Sequence, residues 1–532
     1  MTATASAGAE QAKSLDRPAD TTTPPSANLT ARAAVMGIVV VAEAPTIAGY
    51  ALAGRSFTGT PTPAKYAADF AQHELWASQM AQHGRFLVNL LTPERTPHGW
   101  FFSPLEFVLG VVQRASGLPY GVLNLVLALL AAPVLAVALV SLARRAGLDR
   151  PLVPLVVALC AGSFQPLVLA IHRLGVPGWS HLSGVGGGTS PLSAGAWPYL
   201  PLAVLTLVLL APVSYNRSGQ PFRRAAVALF AEGCIYPFFV PTLWLTGALY
   251  AFLAARREGW RSVRGGFAWF TAAAAVPTVY YGLVLPRVDP EFERFSRLNY
   301  LPLPGVGGIL TSLGLGLAAV VGLPRLLRGN DAQRVLACFT IAAVVSFCLP
   351  RQPDRSHILY LGPLLVLAAF AAWWPALRSR PPGRWHAVAG LAVGAALVAA
   401  PYYYRPEVES LTPQAAPIFL DSGDRAACAW LRRQHDDGVV LAPSDLSPWV
   451  AARAEHRVFV GHYLWTHHWA ERRREVDEIF AAGADPLPVI RRFGVTWVLI
   501  DRRRGLPRWA RGARPAARFG TTEIFPARAF AQ

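Results

Sequence analysis

Apolar segments about as long as a bilayer is thick recur along this chain and restrict it to few folds. A helix needs about 20 apolar residues to cross a membrane. Runs near this length occupy residues 33–52, 121–142, 152–171, 199–213, 267–285, 308–323, 335–350, 358–374 and 387–400. Only 15% of the residues are charged, against about a quarter in a typical soluble protein. The sequence therefore predicts an α-helical polytopic membrane protein with about ten spans.

One further apolar run, residues 225–254, is flanked by arginines at both ends. Short loops rich in arginine mark the cytoplasmic side of a membrane, so both ends are expected there. Pro237 and Pro241 interrupt the run, and proline bends or breaks a helix. We therefore expect a re-entrant hairpin of two short helices, with Glu232 near its tip.

The net charge of +18 raises the question of an anionic partner such as nucleic acid. Many of the arginines, however, lie in short loops between apolar runs, where they set membrane orientation. One alternation satisfies all of these loops. It places the N-terminus in the cytoplasm, and residues 55–120, 173–198, 286–306, 350–357 and everything after 401 outside. The charge distribution thus predicts an orientation and no nucleic-acid partner.

The composition changes twice along the chain and divides it into three regions. Residues 1–30 are rich in Ala, Ser, Thr and Pro and predict a disordered cytoplasmic tail. Residues 31–401 form the membrane domain, with a first extracytoplasmic loop at 55–120. Within 402–532, strand patterns at 439–443, 457–461 and 495–501 alternate with helical patterns at 427–434, 469–482 and 486–493. This alternation predicts a small extracytoplasmic α/β domain with a largely parallel sheet.

Residues 66–80, just beyond the first span, have a helical pattern that brings an acid and a histidine together. Four residues share one face of the expected helix: Asp69, His73, Trp76 and Met80. Glu74 points elsewhere around the helix. An acid and an imidazole one turn apart can hold a substrate and move a proton. The alternative is a helix that lies on the lipid surface, with solvated charges and with Trp76 and Met80 inserted into the bilayer.

Other polar residues near the membrane are candidates for binding a substrate. In the outside segment 351–357, Arg355 suits a phosphate because its guanidinium forms paired hydrogen bonds with phosphate oxygens. The alternative role for Arg355 is an anchor at headgroup level. Glu43 and Glu232 lie within apolar runs, where an acid must face the protein interior or a water-filled cavity. These two acids favour a second function, a membrane transporter, and a noncatalytic assembly factor of the cell envelope is a third.

Three histidines near the C-terminus, His462, His467 and His468, raise the question of a metal. They lack a nearby set of further ligands with the spacing of a metal site. The sequence favours aromatic packing for them and indicates no metal.

The position of Asp69 soon after the first span, the many spans and the outside C-terminal domain resemble the GT-C superfamily. Its members are polytopic glycosyltransferases that use polyprenyl-phosphate-linked sugars. Residues 66–80, 89–94, 352–361 and 457–462 are also similar to bacterial proteins of this type. The resemblance implies an integral protein of the bacterial inner membrane. It implies inverting transfer of a sugar to a glycan, lipid or protein acceptor on the extracytoplasmic face.

By resemblance, Asp69 is the general base toward the acceptor hydroxyl, with His73 or Glu74 assisting. Arg355 would hold the lipid phosphate, with Gln352, His357 and Glu232 as further substrate-binding residues. One departure from the family pattern concerns the first loop, where Phe70 and not a second acid follows Asp69. A metal-binding acidic pair is therefore not indicated, and the resemblance leaves the use of a divalent metal open.

Overall fold

A computed structural model describes residues 25–61, 64–160, 199–211, 220–299, 303, 305–349, 356–379, 390, 394, 408–409, 411, 416–434 and 436–530. Several predictions of the sequence fall outside these residues. They are most of the N-terminal tail, the part 161–171 of the predicted span 152–171, most of the predicted span 387–400, and the outside loop 173–198.

Helices dominate the described residues between 25 and 299. They are α1 Pro25–Ala42, α2 Ala44–Ala53, α3 Ala64–His83, α4 Pro104–Ser116, α5 Tyr120–Arg145, α6 Leu152–Cys160, α7 Leu200–Leu210, α8 Gln220–Ile235, α9 Val240–Glu258, α10 Trp260–Val279, α11 Leu285–Val288 and α12 Pro290–Leu298. A second helical group follows: α13 Val306–Leu313, α14 Leu317–Val321, α15 Leu323–Arg328, α16 Asp331–Cys348, α17 Ser356–Leu359 and α18 Gly362–Arg378.

Four helical segments of the described chain are long and apolar enough to cross a membrane: Tyr120–Arg145, Pro237–Glu258, Trp260–Val288 and Asp331–Cys348. The pair α1 and α2, bent by 45°, is a fifth if it is counted as one span. Shorter apolar helices lie at Leu200–Leu210, Val306–Val321 and Gly362–Arg378. The polytopic helical architecture is confirmed, and the total of about ten spans stays a prediction.

The apolar run 225–254 is broken where its prolines predict a break. α8 ends at Ile235, a short 3-10 turn covers Pro237–Phe239, and α9 begins at Val240. Glu232 lies in the last turn of α8 and is fully buried. Because Pro237–Glu258 alone is long enough to span, the re-entrant character of the pair stays a prediction.

The C-terminal part contains α19 Ser422–Arg432, β1 Val439–Leu441, α20 Ser447–Ala454, β2 Arg457–Val458, α21 Trp469–Asp477, α22 Leu487–Phe493, β3 Val495–Asp501, β4 Ala517–Phe519 and β5 Thr522–Pro526. The sheet order is β2-β1-β3-β5-β4. β1 pairs in parallel with β2 and β3, as the sequence predicts, while β5 is antiparallel to both β3 and β4. The sequence interpretation missed this last hairpin because β4 is only three residues long and carries an exposed arginine.

Alternate residues of the strands build two separate cores, because successive side chains point to opposite faces of a sheet. On one face, Val440, Leu499 and Ile524 join α19 and α20 in a core that also includes residues of α3 and of the first loop. On the other face, Ile500 and Phe525 pack with α22 and with the segment after β3. The sheet therefore separates a face turned toward the membrane helices from a face turned away from them.

The helix predicted at residues 66–80 exists as α3, and it lies between α4 and α20. Its Trp76 and Met80 are buried, at 6% and 0% exposure, in the core shared with the α/β part. The alternative in which these side chains enter the bilayer is therefore wrong. Close packing of α3 on α4 depends on Gly110, since a Cβ built there would lie 2.0 Å from the carbonyl oxygen of Ala77.

We predict that Gly110→Ala destabilises the protein by about 1–3 kcal/mol, because backbone must move to admit the methyl group. Thermal unfolding of the detergent-solubilised protein measures this. Gly265→Ala in α10 is the matched control, since a Cβ there meets nothing within 4 Å. Equal unfolding temperatures for the two variants would contradict the tight α3–α4 contact.

Candidate functional site

Asp69 of α3 is paired with His462, which lies almost 400 residues further along the chain, shortly after β2. Oδ1 of Asp69 accepts a hydrogen bond from Nε2 of His462. Nδ1 of the same ring accepts from the backbone N–H of Leu464 at 3.1 Å. Because Nδ1 is an acceptor, the neutral ring carries its proton on Nε2 and donates it to the carboxylate.

This pairing leaves one carboxylate oxygen of Asp69 available. No described residue donates a hydrogen bond to Oδ2, and the Asp69 side chain is 31% exposed while His462 is 1% exposed. The buried imidazole thus holds an acid whose side chain is still about one third exposed. Gly461 allows His462 to come this close, because it lies directly against Leu91 of the first loop.

His73, one turn after Asp69, is held by a second buried acid, Glu106 of α4. Nδ1 of His73 lies 2.8 Å from Oε1 of Glu106. The other oxygen of Glu106 accepts from the hydroxyl of Tyr120, also at 2.8 Å. Ser103 caps the N-terminus of α4 by accepting from the N–H of Glu106, which fixes the first turn on which this acid lies.

The surroundings of His73 favour its charged form. Burial acts to lower the pKa of His73, but the charge and hydrogen bond of Glu106 and the charge of Asp69 outweigh it, so the pKa is raised. The imidazolium therefore persists to higher pH than for a free histidine. The face of α3 presents a carboxylate oxygen and a positive charge one turn apart, about 6 Å.

Glu74 lies on another side of α3. Its two oxygens accept from Nε and Nη2 of Arg453 in α20, at 3.0 and 3.1 Å. Both side chains are largely buried, and the pKa of Arg453 is raised because the charge and hydrogen bonds of Glu74 outweigh the effect of burial. This geometry gives Glu74 a structural role at the contact between α3 and the α/β part.

A further polar cluster, around Glu291, lies at the same contact between the first loop and the α/β part. Glu291 of α12 accepts from Asn89 at 2.6 Å and from Arg294 at 3.2 Å, and it lies 3.0 Å from Nε2 of His467. Burial acts to raise the pKa of Glu291, but these partners lower it. The cluster ties the first loop and the end of the span Trp260–Val288 to the segment that carries His462.

The histidines correct the sequence interpretation. His462 does contact the ring of Tyr463, with centroids 4.4 Å apart, but both His462 and His467 are paired with acids rather than held by aromatic packing alone. The sequence offered no signal for the pairing of His462 with Asp69. Glu106 was also missed, although an acid just after Ser103-Pro104 in an apolar segment is a detectable signal.

The remaining predicted site residues are less defined. Gln352 and Arg355 lie outside the described residues. His357 is the second residue of the short helix α17, and its side chain is outside the described part. Glu232 lies on α8, which contacts α4, the helix that carries Glu106. Glu43 lies at the bend between α1 and α2 and is buried. Within the described part of the chain, no three acidic, histidine or cysteine side chains converge on one point that could hold a metal.

Solved structures with a similar fold include an arabinofuranosyltransferase. Two structures of the arabinofuranosyltransferase AftD from Mycobacteria give TM-scores of 0.54 and 0.51, at 15% and 16% identity, over 92% of this chain. The chain spans about two fifths of AftD, 40% and 41% of its length. At this low identity, the likeness shows that the chain shares the fold of AftD.

Two weaker likenesses involve proteins solved with lipid phosphates. ArnT from Cupriavidus metallidurans, bound to undecaprenyl phosphate, gives a TM-score of 0.47 at 12% identity, covering 92% of this chain and 97% of ArnT. The oligosaccharyltransferase AglB from Archaeoglobus fulgidus, in complex with an inhibitory peptide and a dolichol-phosphate, gives 0.46 at 11% identity, covering 88% and 69%. The assignment of the fold depends on AftD. No protein-family model and no curated protein matches the sequence.

We predict that Arg453→Ala lowers the free energy of unfolding by about 3–5 kcal/mol, because it leaves the carboxylate of Glu74 buried without its partner. Chemical or thermal unfolding in detergent measures the loss. The control is Arg432→Ala, which breaks an exposed pair with Glu455 and should cost less than about 1 kcal/mol. A similar small loss for both variants would show that Glu74 is solvated.

Proposed function

We propose that this protein is a membrane glycosyltransferase that transfers a sugar from a polyprenyl-phosphate donor to an acceptor hydroxyl on the extracytoplasmic face. The observation that carries the proposal is the Asp69–His462 pair, which leaves one carboxylate oxygen accessible beside His73. The fold supports the same reaction class, because AftD, which shares it, is an arabinofuranosyltransferase. A transporter built on Glu43 and Glu232 would leave this pair without a role.

Asp69 acts as the general base in this reaction. Its Oδ2 accepts the proton of the acceptor hydroxyl as the oxygen attacks C1 of the donor sugar. The bond between C1 and the phosphate oxygen breaks, and its electron pair leaves with the polyprenyl phosphate. A single displacement of this kind inverts the configuration at C1. His462 keeps Asp69 in place through the hydrogen bond to Oδ1.

His73 supplies positive charge for the departing phosphate. The imidazolium lies one turn from Asp69, on the same face of α3, and Glu106 fixes its orientation through Nδ1. Its Nε2–H remains available to donate to a phosphate oxygen, where negative charge develops. Glu106 and Tyr120 act through His73 and are positioning residues.

We assign the donor phosphate and sugar to residues before and at the start of α17 and on α8, of which Gln352 and Arg355 lie outside the described residues. Gln352 and Arg355 precede α17 in the sequence, and His357 lies within it. Ile358 and Leu359 of the same helix are buried in the membrane core. A guanidinium in that segment suits the phosphate diester of the donor. Glu232, buried on α8 next to α4, is a candidate partner for hydroxyl groups of the sugar.

We expect Asp69→Asn to reduce sugar transfer about 10²–10⁴-fold, because an amide cannot accept the proton. The assay uses purified protein with a panel of polyprenyl-phosphate sugars, with a polyprenyl-phosphate arabinose included because AftD transfers arabinofuranose. The control, Asp477→Asn, changes an exposed acid of α21 and should leave the rate unchanged. Equal activity of Asp69→Asn and wild type, with both folded, would remove Asp69 as the base.

The pH profile separates the role of His73 from a purely structural one. Because its pKa is raised, transfer should persist above the ordinary histidine range near pH 6.5 and fall as the imidazolium loses its proton. Glu106→Gln removes the charge that raises this pKa, so the alkaline fall should move to lower pH. His73→Gln should be slower and should lack that fall. An unchanged alkaline limb in Glu106→Gln would contradict this assignment.

A further inference from the structure

An exposed surface rich in arginine lies at the C-terminal end of the chain. Between residues 502 and 528 the sequence has eight arginines and a single acid, Glu523. The first three of these arginines are residues 502–504. The other five have exposed side chains and are here called the arginine surface: Arg508, Arg511, Arg514, Arg518 and Arg528.

The acids near this surface form ion pairs with other arginines. Arg503 takes Asp421, Asp424 and Asp501. Arg504 pairs with Asp445.

The remaining acid, Glu523, lies 3.1 Å from both Arg502 and Arg518 and is almost fully buried. Within the described part of the chain, Arg508, Arg511, Arg514 and Arg528 form no ion pair. The fold therefore does not neutralise the arginine surface.

The arginine surface is on the side of the sheet turned away from the membrane helices. Between its arginines, Trp509 and Ala513 pack on the core that contains Ile500 and Phe525. The indole of Trp509 also donates to the carbonyl of Ile479 at 3.0 Å. The opposite face of the same sheet covers α3 and the first loop, so the whole sheet lies between the arginine surface and the membrane part.

Regular spacing supports a linear partner. Arg508, Arg511 and Arg514 recur every third residue, while Pro507 and Ala510 are buried. Exposed guanidinium groups repeated along the chain offer paired hydrogen bonds to phosphate or carboxylate groups. A lipid headgroup layer would meet the membrane-facing side of the domain, and the position of these arginines does not fit it.

We propose that the arginine surface binds a linear anionic polymer that carries phosphate or carboxylate groups. The binding is electrostatic, with release of counterions from the polymer. This inference does not need the transferase reaction, because none of these arginines lies near Asp69 or His73 in the described contacts.

The test measures binding of labelled inorganic polyphosphate to the full-length protein in nanodiscs of zwitterionic lipid, across a range of salt. The triple variant Arg508→Gln/Arg511→Gln/Arg514→Gln should bind about tenfold more weakly at low salt, with a shallower salt dependence, because about three ionic contacts are lost. Neutral dextran should not bind to either protein.

The matched control is Arg223→Gln/Arg224→Gln/Arg261→Gln, which removes the same charge from exposed arginines of the membrane part. It should change the affinity by less than about twofold, because those sites are remote from the arginine surface. Equal weakening by the two triples would show an effect of net charge only and overturn the proposal.

Two further results would also overturn it. One is capture of the wild type by phosphatidylglycerol vesicles but not by polyphosphate, with loss of capture in the triple variant, since the partner would then be a lipid surface. The other is unchanged polyphosphate binding in the triple variant. Thermal unfolding checks that the triple variant is folded, and the double variant Arg511→Gln/Arg528→Gln provides an independent test with a smaller expected loss.

Discussion

Burial of α3 between the membrane part and the α/β part is the constraint on which the rest of the site depends. The helix is polar for a buried element, and it is tolerated there because its charged groups have partners on both sides. Glu106 meets His73 from α4, and Arg453 meets Glu74 from α20. Burying an unpaired charge is costly, so these partners fix the rotation of α3. That rotation decides which oxygen of Asp69 remains accessible.

The same contact explains why the C-terminal part is needed to complete the candidate site. His462 reaches Asp69 only because the chain after β2 packs against the first loop, where Val458 donates to the carbonyl of Leu90 at 3.0 Å. The buried cluster around Glu291 and His467 holds the following segment. A site made in this way is assembled from two distant parts of the chain, and each part is incomplete alone.

The two faces of the sheet pack against different parts of the protein. One face is part of the apolar core that includes Trp76, with Trp465 packed edge-on at 5.7 Å. The other face is covered by its own small core and by the arginine-rich segment. Because the strands are short and alternate strictly, a single layer of β-structure separates the side that carries the candidate site from a solvent-exposed basic side.

The sequence by itself determined the membrane class, the break near Pro237, the three parallel strands and the helix that carries Asp69 and His73. These depend on local properties, since hydrophobic length, proline positions and side-chain periodicity act over a few residues to about twenty. Only the tertiary structure decided which groups meet. The partners of Asp69 and Glu74 come from residues 462 and 453, and no local pattern specifies a contact across nearly 400 positions. The same reason left the β4–β5 hairpin unrecognised, because its short edge strand is stabilised by pairing with β5 and not by its own sequence.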